Sequence, residues 1–83
     1  MKTNYDIEID LHGFYFEDAV RKLESVVYFA PPGYSILIIH GVGSGALREK
    51  IREYIRNNSF ISDYYYGEDL NLPGGVGSTV IYL

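Results

Sequence analysis

The sequence predicts an α/β domain built as a two-layer α+β sandwich, in which a mixed four-stranded sheet carries both helices on one face. Three observations point there. Residues 5–12 alternate apolar and polar in the manner of a strand, residues 36–39 are apolar on both faces, and each run is followed by a stretch of helical periodicity. The chain length of 83 residues suits one domain over residues 1–83, with no room for a second core.

Taken in order, Tyr5, Ile7, Ile9 and Leu11 are expected on one face of the first strand and Asp6, Glu8, Asp10 and His12 on the other. Gly13 ends it. From about Phe16 the residues Ala19, Val20, Leu23 and Val27 mark a helix, with Glu17 and Asp18 at the positive end of its dipole, and Pro31-Pro32-Gly33 stops it. Ile36 to Ile39 reads as a strand covered on both sides. A second amphipathic helix starts near Gly45, with Leu47, Ile51, Tyr54 and Ile55 on its buried stripe, and closes at Asn57-Asn58. Phe60 to Tyr66 and Ser78 to Leu83 are the last two strands, joined by a polar, glycine-rich loop over residues 67–77. The order β-α-β-α-β-β makes the first two strands parallel through a right-handed crossover and allows the last two to be antiparallel.

Composition narrows the function classes. At 47% hydrophobic, 22% charged and a mean hydropathy of -0.05, the chain has the makeup of a soluble globular domain. No apolar run reaches a membrane span and the amino terminus lacks the apolar core of a secretory signal, so a cytoplasmic location without membrane association is expected. The absence of cysteine removes disulfides, thiolate metal sites and cysteine nucleophiles. A formal charge of -4 argues against a broadly basic nucleic-acid coat, but Arg48, Lys50, Arg52 and Arg56 stand against only Glu49 and Glu53 in the second helix. One basic patch thus sits on an acidic body.

Between the second strand and second helix runs His40-Gly41-Val42-Gly43-Ser44-Gly45. Free backbone N–H groups and the helix dipole make such a junction an anion site, glycine permits close approach, and Arg48 in the first helical turn brings a guanidinium. The expected ligand is a phosphate. The spacing is G-x-G-x-G, not the G-x-G-x-x-G of dinucleotide sites, and it lacks the Gly-Lys-Ser/Thr of triphosphatases, which speaks against NAD and ATP. Ser44 is expected to cap the helix rather than act as a nucleophile. Tight helix-to-strand packing is the competing explanation of the glycines.

Asp10 and His12 share the polar face at the carboxy-terminal end of the first strand, and His40 closes the second at the same end if the two are parallel. A histidine beside a carboxylate can act as general base or acid, and the alternative is local turn capping. Two histidines and one carboxylate at this spacing are too unspecific for a metal site, and neither a metal nor a cofactor is expected. Arg48, Arg52 and Arg56, four residues apart, form a stripe able to track a phosphate backbone, or else an ordinary solvated face.

Three blocks, Ile9-Asp10-Leu11-His12-Gly13, His40 to Arg48, and Gly74-Gly75-Val76-Gly77-Ser78-Thr79-Val80-Ile81-Tyr82-Leu83, occur in order and together resemble the Smr (small MutS-related) domain. The resemblance covers nearly the whole chain. It implies a fold similar to the C-terminal domain of a bacterial translation initiation factor, nucleic-acid binding, and endonuclease activity as a DNA nickase or an RNA-cleaving enzyme. It also places the family's Asp-x-His on Asp10 and His12, its glycine turn on Gly41, Gly43 and Gly45, and its arginine on Arg48. Val42 stands where the family often has a basic residue, and Glu68 to Pro73 expand the last loop.

With RNA, the chemistry needs no metal: the ribose 2′-hydroxyl attacks the neighbouring phosphorus once a base takes its proton. His12 is the first candidate for that base and His40 the second, with the N–H groups of Gly43 to Gly45 and Arg48 holding the phosphate charge. Cutting DNA would call for activated water and favours a metal ion. The competing class is a non-catalytic module binding nucleic acid or protein through the turn, the arginine stripe and a sheet face of tyrosines, nine of which occur in the chain. A larger protein partner or a parent chain is expected to supply targeting.

Overall fold

The computed structural model describes residues 4–72 and 74–83. Four strands, β1 (Ile7–Asp10), β2 (Ser35–Ile39), β3 (Asp63–Tyr66) and β4 (Ser78–Tyr82), form one sheet in the order β1-β2-β4-β3. β1 pairs parallel with β2, while β4 runs antiparallel to both β2 and β3. Helices α1 (Phe16–Phe29) and α2 (Ala46–Arg56) follow β1 and β2. The expected class and strand directions are those found.

The core lies between the helices and one sheet face. Ile9, Leu11, Ile36, Ile38 and Ile81 meet Ala19, Leu23 and Val27 of α1 and Ile51 and Ile55 of α2, all buried. Each large aliphatic side chain withdrawn from water contributes about 1.5–3 kcal/mol, so this layer holds the sheet and helices in register. β2 is one of the two inner strands, with β4, and is buried on both faces, which explains its unbroken apolar run.

The opposite face is also covered. Leu37 and Val80 are fully buried there beneath Leu72, Tyr5, Ile39 and Tyr82. Three expectations therefore change. Tyr5 packs on the far face rather than beside Ile7, because the chain bends at residues 4–6 before β1 begins. β3 starts at Asp63 rather than Phe60, whose N–H instead binds Asn58 Oδ1 in a turn. The segment expected as an open loop after β3 contains a helical turn, α3 (Gly67–Leu70), and a 3₁₀ turn, Gly75–Gly77, which bring Leu72 over the sheet; Pro73 falls outside the described residues. The tyrosine platform shrinks with it. Tyr65 and Tyr82 meet edge to face at 6.1 Å, whereas Tyr64 packs on the helix-side core and pairs with Tyr66. Among the described residues, no helix is long and apolar enough to cross a membrane.

Candidate functional site

The parallel register sets Asp10 opposite Ile39, so the ends of β1 and β2 lie side by side and the residues following each strand share one rim. Leu11 N–H extends the pairing to Ile39 O at 2.7 Å, after which the chain turns and Phe14 N–H returns to Leu11 O at 3.1 Å. Gly13 takes a left-handed conformation in that turn, and His12 is presented at its crest.

Asp10 holds His12 twice. One carboxylate oxygen, Oδ1, accepts the backbone N–H of His12 at 3.1 Å and lies 2.5 Å from its ring Nδ1. The ring bond, followed by the backbone bond, holds the Asp10 carboxyl below its ordinary value, so it is a carboxylate at neutral pH and Nδ1 carries the proton. That tautomer leaves the Nε2 lone pair free, on a side chain that is 71% exposed.

His40 sits in another environment. It is 3% exposed, with Nδ1 2.9 Å from Gly41 O and Nε2 3.1 Å from Thr79 Oγ1. A carbonyl only accepts, so Nδ1–H donates to Gly41 and Nε2 accepts from the Thr79 hydroxyl. Burial is the main cause that lowers its pKa, with the nearby Arg52 and Arg48 charges acting the same way, so the ring is neutral. His40 is therefore not available as the expected second acid or base: both nitrogens are occupied inside the protein.

The glycine turn is fixed from three sides. His40 N–H and Gly41 N–H both donate to Gly77 O at 2.9 Å, tying the turn to the last residue of the 3₁₀ turn that precedes β4. Gly41 has φ +79°, and a Cβ there would stand 3.2 Å from His12 Cβ, so glycine at this position lets the two loops touch. Gly45, also left-handed, is the N-cap of α2, and its N–H is spent on Val42 O at 2.9 Å. The cap is thus Gly45 rather than Ser44, whose hydroxyl makes only a 3.4 Å contact with Ala46 N–H. The N–H groups of Gly43, Ser44, Leu47 and Arg48 have no partner among the described residues. They point to an anion-binding helix start, with Gly45 removed from the expected set of donors.

The arginine stripe separates into three environments. The Arg48 guanidinium folds back under Gly45, its Nη2 3.1 Å from where a Cβ would stand, and its buried Nε makes no hydrogen bond among the described residues, with Glu49 Oε1 3.9 Å away as an ion-pair contact. Arg52 is 11% exposed, and its Nη2 binds both oxygens of Glu68 at 2.7 and 2.9 Å while its guanidinium lies 3.7 Å from the Tyr66 ring. Arg56 reaches the Tyr66 hydroxyl at 3.4 Å. An open phosphate track was expected; Arg52 instead clamps α3, because the expanded loop supplies a carboxylate to its fork.

His12, His40 and the glycine turn line one cleft of about 530 Å³ together with Phe14, Tyr15 and Phe16. A larger groove of about 640 Å³ lies between α1 and the end of α2, away from both histidines. The cleft at the rim is the candidate site, because it joins a titratable pair to unpaired amides. Among the described residues no group of three or more His, Asp or Glu side chains is placed to hold a metal. Sequence reasoning missed Thr79 and the three aromatics. Thr79 had one signal, a hydroxyl beside the apolar pair Val80-Ile81 of the last strand; the aromatics had theirs in being three large rings between a turn and a helix.

The family model described as the Smr domain matches residues 9–83. A protein named endonuclease MutS2 from Geobacillus sp. (strain WCH70) is 37% identical over 79 residues, covering 93% of this chain and 10% of that protein. Another endonuclease MutS2, from Fusobacterium nucleatum, is 39% identical over 84 residues, covering 99% of this chain and again 10% of the relative. The chain thus spans about a tenth of the length of the curated relatives it matches. Among solved structures, the Smr domain of Thermus thermophilus MutS2 superposes with a TM-score of 0.78 at 29% identity, covering 92% of this chain and 95% of that one.

Proposed function

The chain belongs to the Smr domain family, and from that premise we propose that it is a nucleic-acid-binding module that cuts the phosphodiester backbone, with RNA as its substrate. The observation that carries the reading is the Asp10-His12 pair, which presents a free imidazole nitrogen beside a turn of unpartnered amides. A phosphate seated on Gly43, Ser44 and the first N–H groups of α2, with the Arg48 guanidinium behind it, brings a neighbouring ribose to His12.

There His12 Nε2 takes the 2′-hydroxyl proton, the 2′-oxygen attacks phosphorus, and the P–O5′ bond breaks. The imidazolium so formed returns the proton to the departing 5′-oxygen. One histidine serves both steps, and the products are a 2′,3′-cyclic phosphate and a 5′-hydroxyl. Asp10 fixes the tautomer and stabilises the imidazolium, while His40 is a positioning residue that holds the turn through Gly41 and Thr79. The relatives named endonuclease MutS2 support the reaction class, and their greater length supports a module that works within, or beside, a larger protein.

A specific observation favours one competing reading. With His40 buried and both its nitrogens occupied, only one exposed histidine remains, and such a site also suits binding without cleavage. End-labelled single-stranded RNA and branched DNA, incubated with the purified domain in excess EDTA beside His12→Ala, separate these. RNA cut by the wild type alone, with cyclic phosphate ends, is the expected result. Binding without cutting of either substrate would leave the module non-catalytic, and cutting by His12→Ala would remove His12 from the mechanism.

A further inference from the structure

Phe14, Tyr15 and Phe16 line the same cleft as the glycine turn, all exposed, and Tyr15 is 81% exposed. Tyr15 occupies the N-cap position of α1, where Ser, Thr, Asp or Asn would give a side-chain bond to the first helical amides. It makes no such cap. Neither its ring nor its hydroxyl makes a hydrogen bond or ring contact among the described residues, so no polar or aromatic contact within the fold accounts for a tyrosine here. Phe16 beside it is backed by the Lys50 ammonium, 5.5 Å from the ring centre.

Resting on the function proposed above, we infer that Tyr15, flanked by Phe14, is a stacking platform for one unpaired nucleobase, that of a nucleotide adjoining the phosphate on the glycine turn. The placement carries this. His12 and the three aromatics come from one segment lining the cleft, and the turn whose amides would hold the phosphate lines the same cleft, so one nucleotide seated there has its sugar beside His12 and its base within reach of Tyr15. A cleft of about 530 Å³ is within the size range of small-ligand sites. Every base has a π-face, so a tyrosine platform selects for single strands without reading sequence, whereas a base inside a duplex has both faces already stacked. Attack by a 2′-hydroxyl also needs a backbone free to align, and a base drawn out onto Tyr15 provides that freedom. Tyr15 is thus a specificity-determining residue for unpaired substrate.

The test uses a single-stranded 2′-O-methyl RNA, which cannot be cut, carrying 2-aminopurine at each position in turn. Wild type should quench the fluorophore at one register and bind the strand better than its duplex. Tyr15→Ala should lose the quenching and weaken single-strand binding between about five- and about 150-fold, leaving duplex binding unchanged. Tyr15→Phe and Tyr15→Trp should keep both. Equal single-strand affinity for wild type and Tyr15→Ala overturns the platform and leaves the nuclease reading intact. No binding of any strand by wild type overturns both, and binding by His12→Ala with normal quenching assigns the platform to recognition apart from cleavage.

Discussion

Two hydrogen bonds to one carboxylate decide what His12 can do. Because Oδ1 of Asp10 takes both the backbone and the ring N–H, Asp10→Asn keeps the shape of the turn but no longer fixes the proton on Nδ1. Cleavage of single-stranded RNA should fall by about 10²- to 10⁴-fold with binding unchanged, a split read from single-turnover rates against a titration of uncleavable RNA. Equal losses in both would mean that Asp10 builds the turn and nothing more. Thr79 makes the matching case inside the protein. Thr79→Val is nearly isosteric but strips the partner from a buried imidazole nitrogen, at a cost of about 1–3 kcal/mol in urea unfolding. The residue pattern showed Asp10, His12 and the glycines, since spacing along a strand and a turn is local information. It could not show that His40 is inaccessible or that Arg52 is neutralised, because Thr79 and Glu68, which cause those states, are 39 and 16 residues away in the chain.

The elements position the site through one close backbone crossing. α3 begins at Gly67, which packs so near the 3₁₀ turn that a Cβ would stand 1.8 Å from Gly75 O and 2.5 Å from Ser78 Oγ. Ser78 in turn donates to Gly75 O at 3.0 Å, and Gly77 O accepts the N–H groups of both His40 and Gly41. Gly67→Ala therefore pushes on the segment that anchors the glycine turn. It should destabilise the domain by at least about 2 kcal/mol in urea unfolding, and in the folded fraction it should move the amide resonances of Gly41 and Gly43. Unchanged stability and spectra would show that the two segments separate without consequence. Strands and helices with an apolar stripe, such as Ile51 and Ile55 in α2, declare themselves because their burial follows a repeating period. α3 has no such period, being four residues long with glycine first, and only its contacts with Arg52 and the 3₁₀ turn make it helical.

In the whole molecule, folding stability is linked to the protonation of the largely buried His40 ring. Burial lowers the pKa of His40 below its ordinary 6.5, so between that value and the folded one the unfolded chain binds a proton that the native chain refuses. Stability is therefore complete above about pH 6.5 and falls as the pH drops through it, with a slope of at most about 1.4 kcal/mol per pH unit for one proton. The hydrogen bond to Gly41 O is the main opposing influence, Arg52 and Arg48 add to the lowering, and Glu68 opposes it weakly. Two carboxylates near the site act outside that window. Asp10 and Glu68 are both held below their ordinary values of 3.8 and 4.5, so what they contribute is lost only at more acid pH. Urea unfolding at pH 7.5 and pH 5.5 should show the wild type losing stability, and His40→Gln, weaker at both, should lose less between them. If the two fall in parallel, His40 takes up a proton without leaving its pocket, and the coupling between the glycine turn and Thr79 is looser than its hydrogen bonds imply.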